Sequence, residues 1–109
     1  MNKQIHIEFD GRKYILEFTR KTVAQMERSG FRVDELMAKP MISLPQLFAG
    51  AFLANHPTVD RGTINKIYAK LPNKEALIEA LSTMYNEPIN ALLDEPVEGD
   101  AGNASWELV

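Results

Sequence analysis

Across residues 40–59 the chain carries no Asp, Glu, Lys or Arg, although a quarter of its 109 residues are charged. Such a segment spans a membrane, forms the buried centre of a small domain, or offers an apolar surface to a partner. A spanning helix needs about 20 predominantly apolar residues. Here Pro40, Ser43, Pro45, Gln46, Asn55, His56, Pro57 and Thr58 interrupt the run. The apolar stretch proper, residues 44–54, covers only about half a bilayer at about 1.5 Å per residue. Length therefore argues against a membrane span and leaves core or partner surface. A helix that is apolar nearly all round is usually the centre of its domain. Phe48 and Phe52, an i, i+4 pair within it, are nonetheless candidates for an apolar contact with a partner. Gly50 and the alanines at 49, 51 and 54 would let another element come close.

The N-terminal residues read as a β-hairpin. Ile5, Ile7 and Phe9 alternate with polar residues, as do Tyr14, Leu16 and Phe18, and Asp10-Gly11 between them suits a two-residue type I′ turn. That turn pairs Phe9 with Arg12, Ile7 with Tyr14 and Ile5 with Leu16. All six apolar residues then share one face, while His6, Glu8, Lys13, Ile15 and Glu17 take the other. A lone hairpin is marginal in water, so the apolar face must lie on something.

Helices follow. Thr19 is placed to cap one running to about Ser29, with Gly30 as its left-handed C-terminal residue and Phe31 just beyond for a Schellman-type contact. A short helical turn is expected over residues 34–38. Ser43 and Gln46 stand three apart, as in a capping box, and predict a helix over residues 43–55 closed by His56-Pro57. Another fits residues 59–71. Asn73 is placed to cap a last long helix, whose stripe is Leu77, Ile78, Leu81, Met84, Tyr85, Ile89, Leu92 and Leu93. Pro88 predicts either a kink there or a new helix near Asn86. The fold class is α+β: one globular domain over residues 1–93, with a hairpin over 4–18 packed on four to five helices over 19–93.

Charge marks the end of that domain. Residues 94–109 hold Asp94, Glu95, Glu98, Asp100 and Glu107 and no base, whereas residues 1–93 hold twelve bases against ten acids. Together with Pro96, Gly99 and Gly102 this predicts a flexible acidic tail. Trp106 has no core reason to be in such a tail. It either folds back on its own domain, docks on a neighbouring subunit, or orders on binding a partner.

No enzyme constellation is present: no glycine-rich phosphate loop, no nucleophile elbow, no zinc-binding His pair. His6 and His56 read as surface or helix-capping histidines. Without cysteine there is no disulfide or thiolate metal site. The tail acids lack the Asp-x-Asp-x-Asp-Gly core of a calcium loop. Neither a catalytic role, a cofactor nor a metal is expected. Arg20, Lys21, Arg28 and Arg32 form a basic cluster, but Glu17 and Glu27 dilute it and no aromatics stand ready to stack on bases, which argues against nucleic acid as partner. The N-terminus alternates and has no apolar signal core, so a cytoplasmic protein is expected.

Several blocks together resemble a known family. They are Ile7-Glu8-Phe9-Asp10-Gly11-Arg12-Lys13-Tyr14 with Leu16-Glu17-Phe18-Thr19-Arg20-Lys21; Gln25-Met26-Glu27 through Gly30-Phe31; Lys39-Pro40-Met41 leading into Leu47-Phe48-Ala49-Gly50-Ala51-Phe52; Asn73-Lys74-Glu75; Met84-Tyr85-Asn86-Glu87-Pro88; and Gly102-Asn103 with Trp106-Glu107. Across nearly its whole length the chain resembles the small tail assembly chaperones of tailed phages and prophages of Gram-positive bacteria. None of the blocks is a catalytic signature. The resemblance implies a protein of the bacterial host cytoplasm, made beside the tail-tube and tape-measure proteins. It would hold the helical tape measure soluble while tail-tube subunits, themselves a candidate partner, assemble around it, and be absent from the mature virion; a self-associating module could coat such a client by avidity. The alternatives are a structural or adaptor protein of the tail and, behind it, a small nucleic-acid-binding regulator. Phe48, Phe52 and Trp106 are the candidate partner-binding residues.

Overall fold

Strands β1 (Ile5–Phe9) and β2 (Arg12–Leu16) pair antiparallel in the expected register, Ile5 with Leu16, Ile7 with Tyr14 and Phe9 with Arg12. The structure, a computed structural model, describes residues 3–94 and 104–109. Asp10 and Gly11 both have positive φ, 51° and 74°, as a type I′ turn requires. One face of the hairpin buries Ile7, Tyr14 and Leu16, with Phe18 just beyond β2, while Ile5 and Phe9 are half-buried.

Four helices follow: α1 (Arg20–Arg28), α2 (Pro40–Gly50), α3 (Arg61–Lys70) and α4 (Lys74–Ala91), with a 3₁₀ turn at Val33–Glu35. The α+β expectation holds. Thr19 caps α1 reciprocally with Thr22: the Thr22 N–H donates to Thr19 Oγ1 (3.1 Å) and the Thr19 N–H to Thr22 Oγ1 (2.9 Å). At the other end Gly30 takes φ 101°. The Phe31 N–H donates to the Met26 carbonyl (3.0 Å) and the Gly30 N–H to the Glu27 carbonyl (3.0 Å), the two bonds of a Schellman motif. Asp60 caps α3 by accepting the Thr63 N–H at 2.7 Å, and that bond holds its carboxyl below the usual range.

Three helix boundaries differ from expectation. No capping box forms at Ser43 and Gln46, because α2 starts earlier, at Pro40. Proline lacks an N–H and its ring presets φ, so it opens a helix without a side-chain cap. Ser43 is then inside α2 and buried, its N–H donating to the Lys39 carbonyl (2.9 Å). The same helix ends at Gly50 instead of 55. Beyond it the chain tightens into i→i+3 turns, Phe52 N–H to Ala49 O (3.1 Å) and Leu53 N–H to Gly50 O (3.2 Å). The short turn expected to start at Asp34 or Val33 and run to 38 does start at Val33, but its 3₁₀ helix ends at Glu35. Asn73 does stand before α4, in the left-handed region (φ 54°), but its side chain makes no capping bond. Pro88 neither ends α4 nor restarts it. Leu92 and Leu93, expected on the buried stripe, lie past the helix end and are exposed. The acidic tail predicted for 94–109 falls mostly outside the described residues; 104–109 carry no regular secondary structure.

The tightened segment after α2 seals the free edge of β2. The Ala51 carbonyl accepts the Glu17 N–H (3.0 Å), Asn55 Nδ2 donates to the Ile15 carbonyl (3.1 Å), and the Ile15 N–H donates to His56 Nε2 (2.9 Å). His56 therefore caps a strand edge and not the helix end behind it, with Nε2 unprotonated and Nδ1 carrying the hydrogen. Its ring also meets Tyr14 edge-on at 5.2 Å. His56→Ala strands a half-buried N–H and is expected to cost about 1–3 kcal/mol in urea unfolding.

The core gathers around α2, which touches α1, α3, α4 and the 3₁₀ turn. Phe48 and Phe52 are each 1% exposed. Phe52 packs on Tyr14 of the hairpin (5.8 Å between ring centroids) and Phe48 on Tyr68 of α3 (5.0 Å). From α4, Tyr85 inserts its ring edge-on between Phe18 (5.3 Å) and Phe31 (5.2 Å). Burial, and after it the Glu27 carboxylate, push the Tyr85 hydroxyl up to about 12. An unfolded tyrosine titrates near 10. The raised value favours the neutral phenol, so this contribution is full below pH 10 and lost as pH rises through 12. Two units amount to about 3 kcal/mol. Wild-type stability, followed by urea unfolding from pH 9 to 12, should fall more steeply than that of Tyr85→Phe.

Candidate partner-binding groove

The burial of Phe48 and Phe52 corrects their reading as contact residues. The hairpin covers one ring and α3 the other, so neither is available on the surface of this fold. Trp106 is different: it is 88% exposed, as are Leu108 and Val109 beyond it. The three candidates are thus not brought together.

Another surface has the character of a binding site. Between the 3₁₀ turn, α2, α3 and α4 runs an open groove of about 760 Å³. Its floor is apolar: Val33, Leu36, Met37, Leu44, Tyr68 and Ile78. Ile78 stands one turn before Leu81, the first of the buried α4 residues Leu81, Met84 and Tyr85, at the margin of their stripe. Leu44 and Tyr68 hold the same marginal position on α2 and α3, half-buried beside Leu47 and Ile67, which are wholly buried. Met37 is 87% exposed, because the Schellman turn and the 3₁₀ turn send Phe31 and Leu36 inward and carry the next residue out.

The surface next to the groove is also unusually apolar. Met41 and Ile42, in the first turn of α2, are 89% and 62% exposed. They are the outward side of the helix whose inward side is Ser43 and Leu47. Methionine is flexible and polarizable, and it suits surfaces that adapt to varied apolar partners.

The polar rim is acidic in balance. Glu75 and Glu79 line one wall, one turn apart on α4, and neither has an ion-pair partner among the described residues. Asp34 lines the other and is bound by Arg32 (3.1 Å), which holds its carboxyl below the usual range. Lys74, the one base in the lining, is already engaged. Its Nζ donates to the Leu71 carbonyl (2.7 Å) and lies 5.4 Å from the Tyr68 ring centroid.

No group of His, Asp and Glu among the described residues could hold a metal ion. In the sequence, the one signal for the groove was Met37, a large apolar side chain outside any periodic stripe.

A family model described as "Domain of unknown function (DUF5055)" matches residues 1–108. The chain belongs to the DUF5055 family. No curated protein and no solved structure matches it. The family match spans hairpin, helices and groove as one unit, so a functional reading of this DUF5055 chain rests on its own residues. No helix among the described residues is long and apolar enough to cross a membrane.

Proposed function

We propose that this protein is a tail assembly chaperone of a phage or prophage, which keeps the tape-measure protein soluble in the host cytoplasm while the tail tube assembles. The resemblance noted above supports the class. The observation that carries the reading is the open groove with its apolar side chains and exposed Met37, on a domain that has a buried core of its own. A holder of long amphipathic helices needs apolar surface for the client's apolar faces, presented on a body that stays folded without the client. It also needs contacts weak enough to be released, and a shallow, open groove provides them better than an enclosed pocket. Repetition along the client would supply strength by avidity.

A structural or adaptor protein of the tail would use the same surface but stay in the particle. Mass spectrometry separates the two. The chaperone reading predicts the protein in lysates of cells producing phage and none in purified virions. Recovery from virions in proportion to tail proteins would make it a structural component.

A further inference from the structure

The surface of the groove states what kind of segment it can hold. Three of its walls are side chains of α2, α3 and α4, whose backbone groups are bonded within the helices, and the fourth is the 3₁₀ turn and the residues just after it, so it presents no free strand edge. An extended peptide lying there would leave its own N–H and C=O groups without partners, whereas a helix satisfies them internally. The wall formed by α4 from Glu75 to Asn86 is about 16 Å long at about 1.5 Å per residue, which matches a helix of about three turns.

Charge then selects among helices. Glu75 and Glu79, one turn apart, repel each other with no cation to relieve them among the described residues. Lys74 is turned to backbone carbonyls and the Tyr68 ring. We infer that the groove binds an amphipathic helix whose apolar face is flanked by lysine or arginine, the apolar face on Met37, Leu44 and Ile78 and the cations beside Glu75 and Glu79. This deepens the chaperone reading and rests on it for the identity of the client. The chain's own acidic end does not fit, since residues 94–109 hold five acids and no base. A second copy of the domain fits no better: the apolar residues that α2 leaves exposed, Met41 and Ile42, stand in a helix with no lysine or arginine.

Two fluorescent synthetic peptides test this with the full chain. Both carry leucine on one helical face, flanked in one by lysine and in the other by glutamate. Fluorescence anisotropy at low salt should give at least tenfold tighter binding of the lysine peptide, with the ratio shrinking as salt rises. Met37→Gln should weaken that binding about tenfold, the loss expected for one methionine contact. The double variant Glu75→Gln, Glu79→Gln should bring the two peptides within about threefold. Both variants should keep the wild-type unfolding midpoint. Equal affinity for the peptides, or binding indifferent to Met37→Gln, overturns the inference. So does a deletion of residues 104–109 that tightens binding tenfold, which would make the tail the occupant, or a dimer that Met37→Gln dissolves. The failures separate. A lysine peptide that binds as described, with no effect of the protein on tape-measure solubility, leaves the groove assignment standing and removes the chaperone. A tape measure held soluble equally well by Met37→Gln does the reverse.

Discussion

Phe52→Ala is expected to lower the unfolding free energy by about 4 kcal/mol. The ring is 1% exposed and packs on Tyr14, Phe48 and His56 with centroid separations of 5.8, 5.2 and 6.4 Å. Truncation therefore removes the contact between the hairpin and the end of α2 and leaves a cavity that three other aromatic rings border. Domains of this size have about 5–15 kcal/mol in total, so the loss is a large share. In urea the midpoint should fall with the slope nearly unchanged, and the thermal midpoint should drop by roughly 15–30 °C. A surface contact residue would behave in the opposite way, leaving the midpoint in place and reducing affinity for a partner. Met37→Gln is expected to do that, and the pair of variants separates core from groove.

Gly50→Val is expected to destabilise by about 1 kcal/mol. Gly50 ends α2 beside Met26 of α1, and a Cβ there would overlap Sδ and Cε of that methionine. Helix propensity alone predicts the opposite sign, since replacing an interior glycine by a residue with a side chain gains up to about 1 kcal/mol. The overlapped Sδ and Cε are the far end of a flexible side chain beside a pocket of about 190 Å³ that Met26 and Gly50 both line, so Met26 yields in part and what remains is the crowding of a branched side chain at a close helix contact. Combining Gly50→Val with Met26→Ala should recover part of the loss, and a double-mutant cycle in urea should return a coupling of up to about 1 kcal/mol. An additive pair would mean that α1 and α2 do not meet at this point.

The hairpin was legible in the sequence because two independent signals, period-2 alternation and Asp10-Gly11, specify the same register. The Thr19 to Gly30 helix was legible for a similar reason, with a cap at each end. Where one local signal stood alone, tertiary structure overrode it. Ser43 and Gln46 have the spacing of a capping box, but Pro40 had already opened the helix. Leu92 and Leu93 continue an apolar stripe after α4 has run out of core to cover. His56 was readable as a cap, but its partner, the Ile15 N–H, lies 41 residues away and no local pattern encodes it. The groove escaped periodicity for a different reason. It is assembled from the margins of three helices and a 3₁₀ turn, and marginal positions look like weak core positions in any one of them.

The uncharged segment at 40–59 is divided along its length. Residues 47–52 are buried at the centre, while Met41 and Ile42 at its start are exposed. Co-expression with a phage tape-measure protein, the proposed client, tests the central claim most directly. The account predicts that the tape measure moves into the soluble fraction and copurifies with wild-type protein, and does so markedly less with Met37→Gln. A tape measure that stays insoluble, with no complex recovered from cells containing abundant folded wild-type protein, would contradict it.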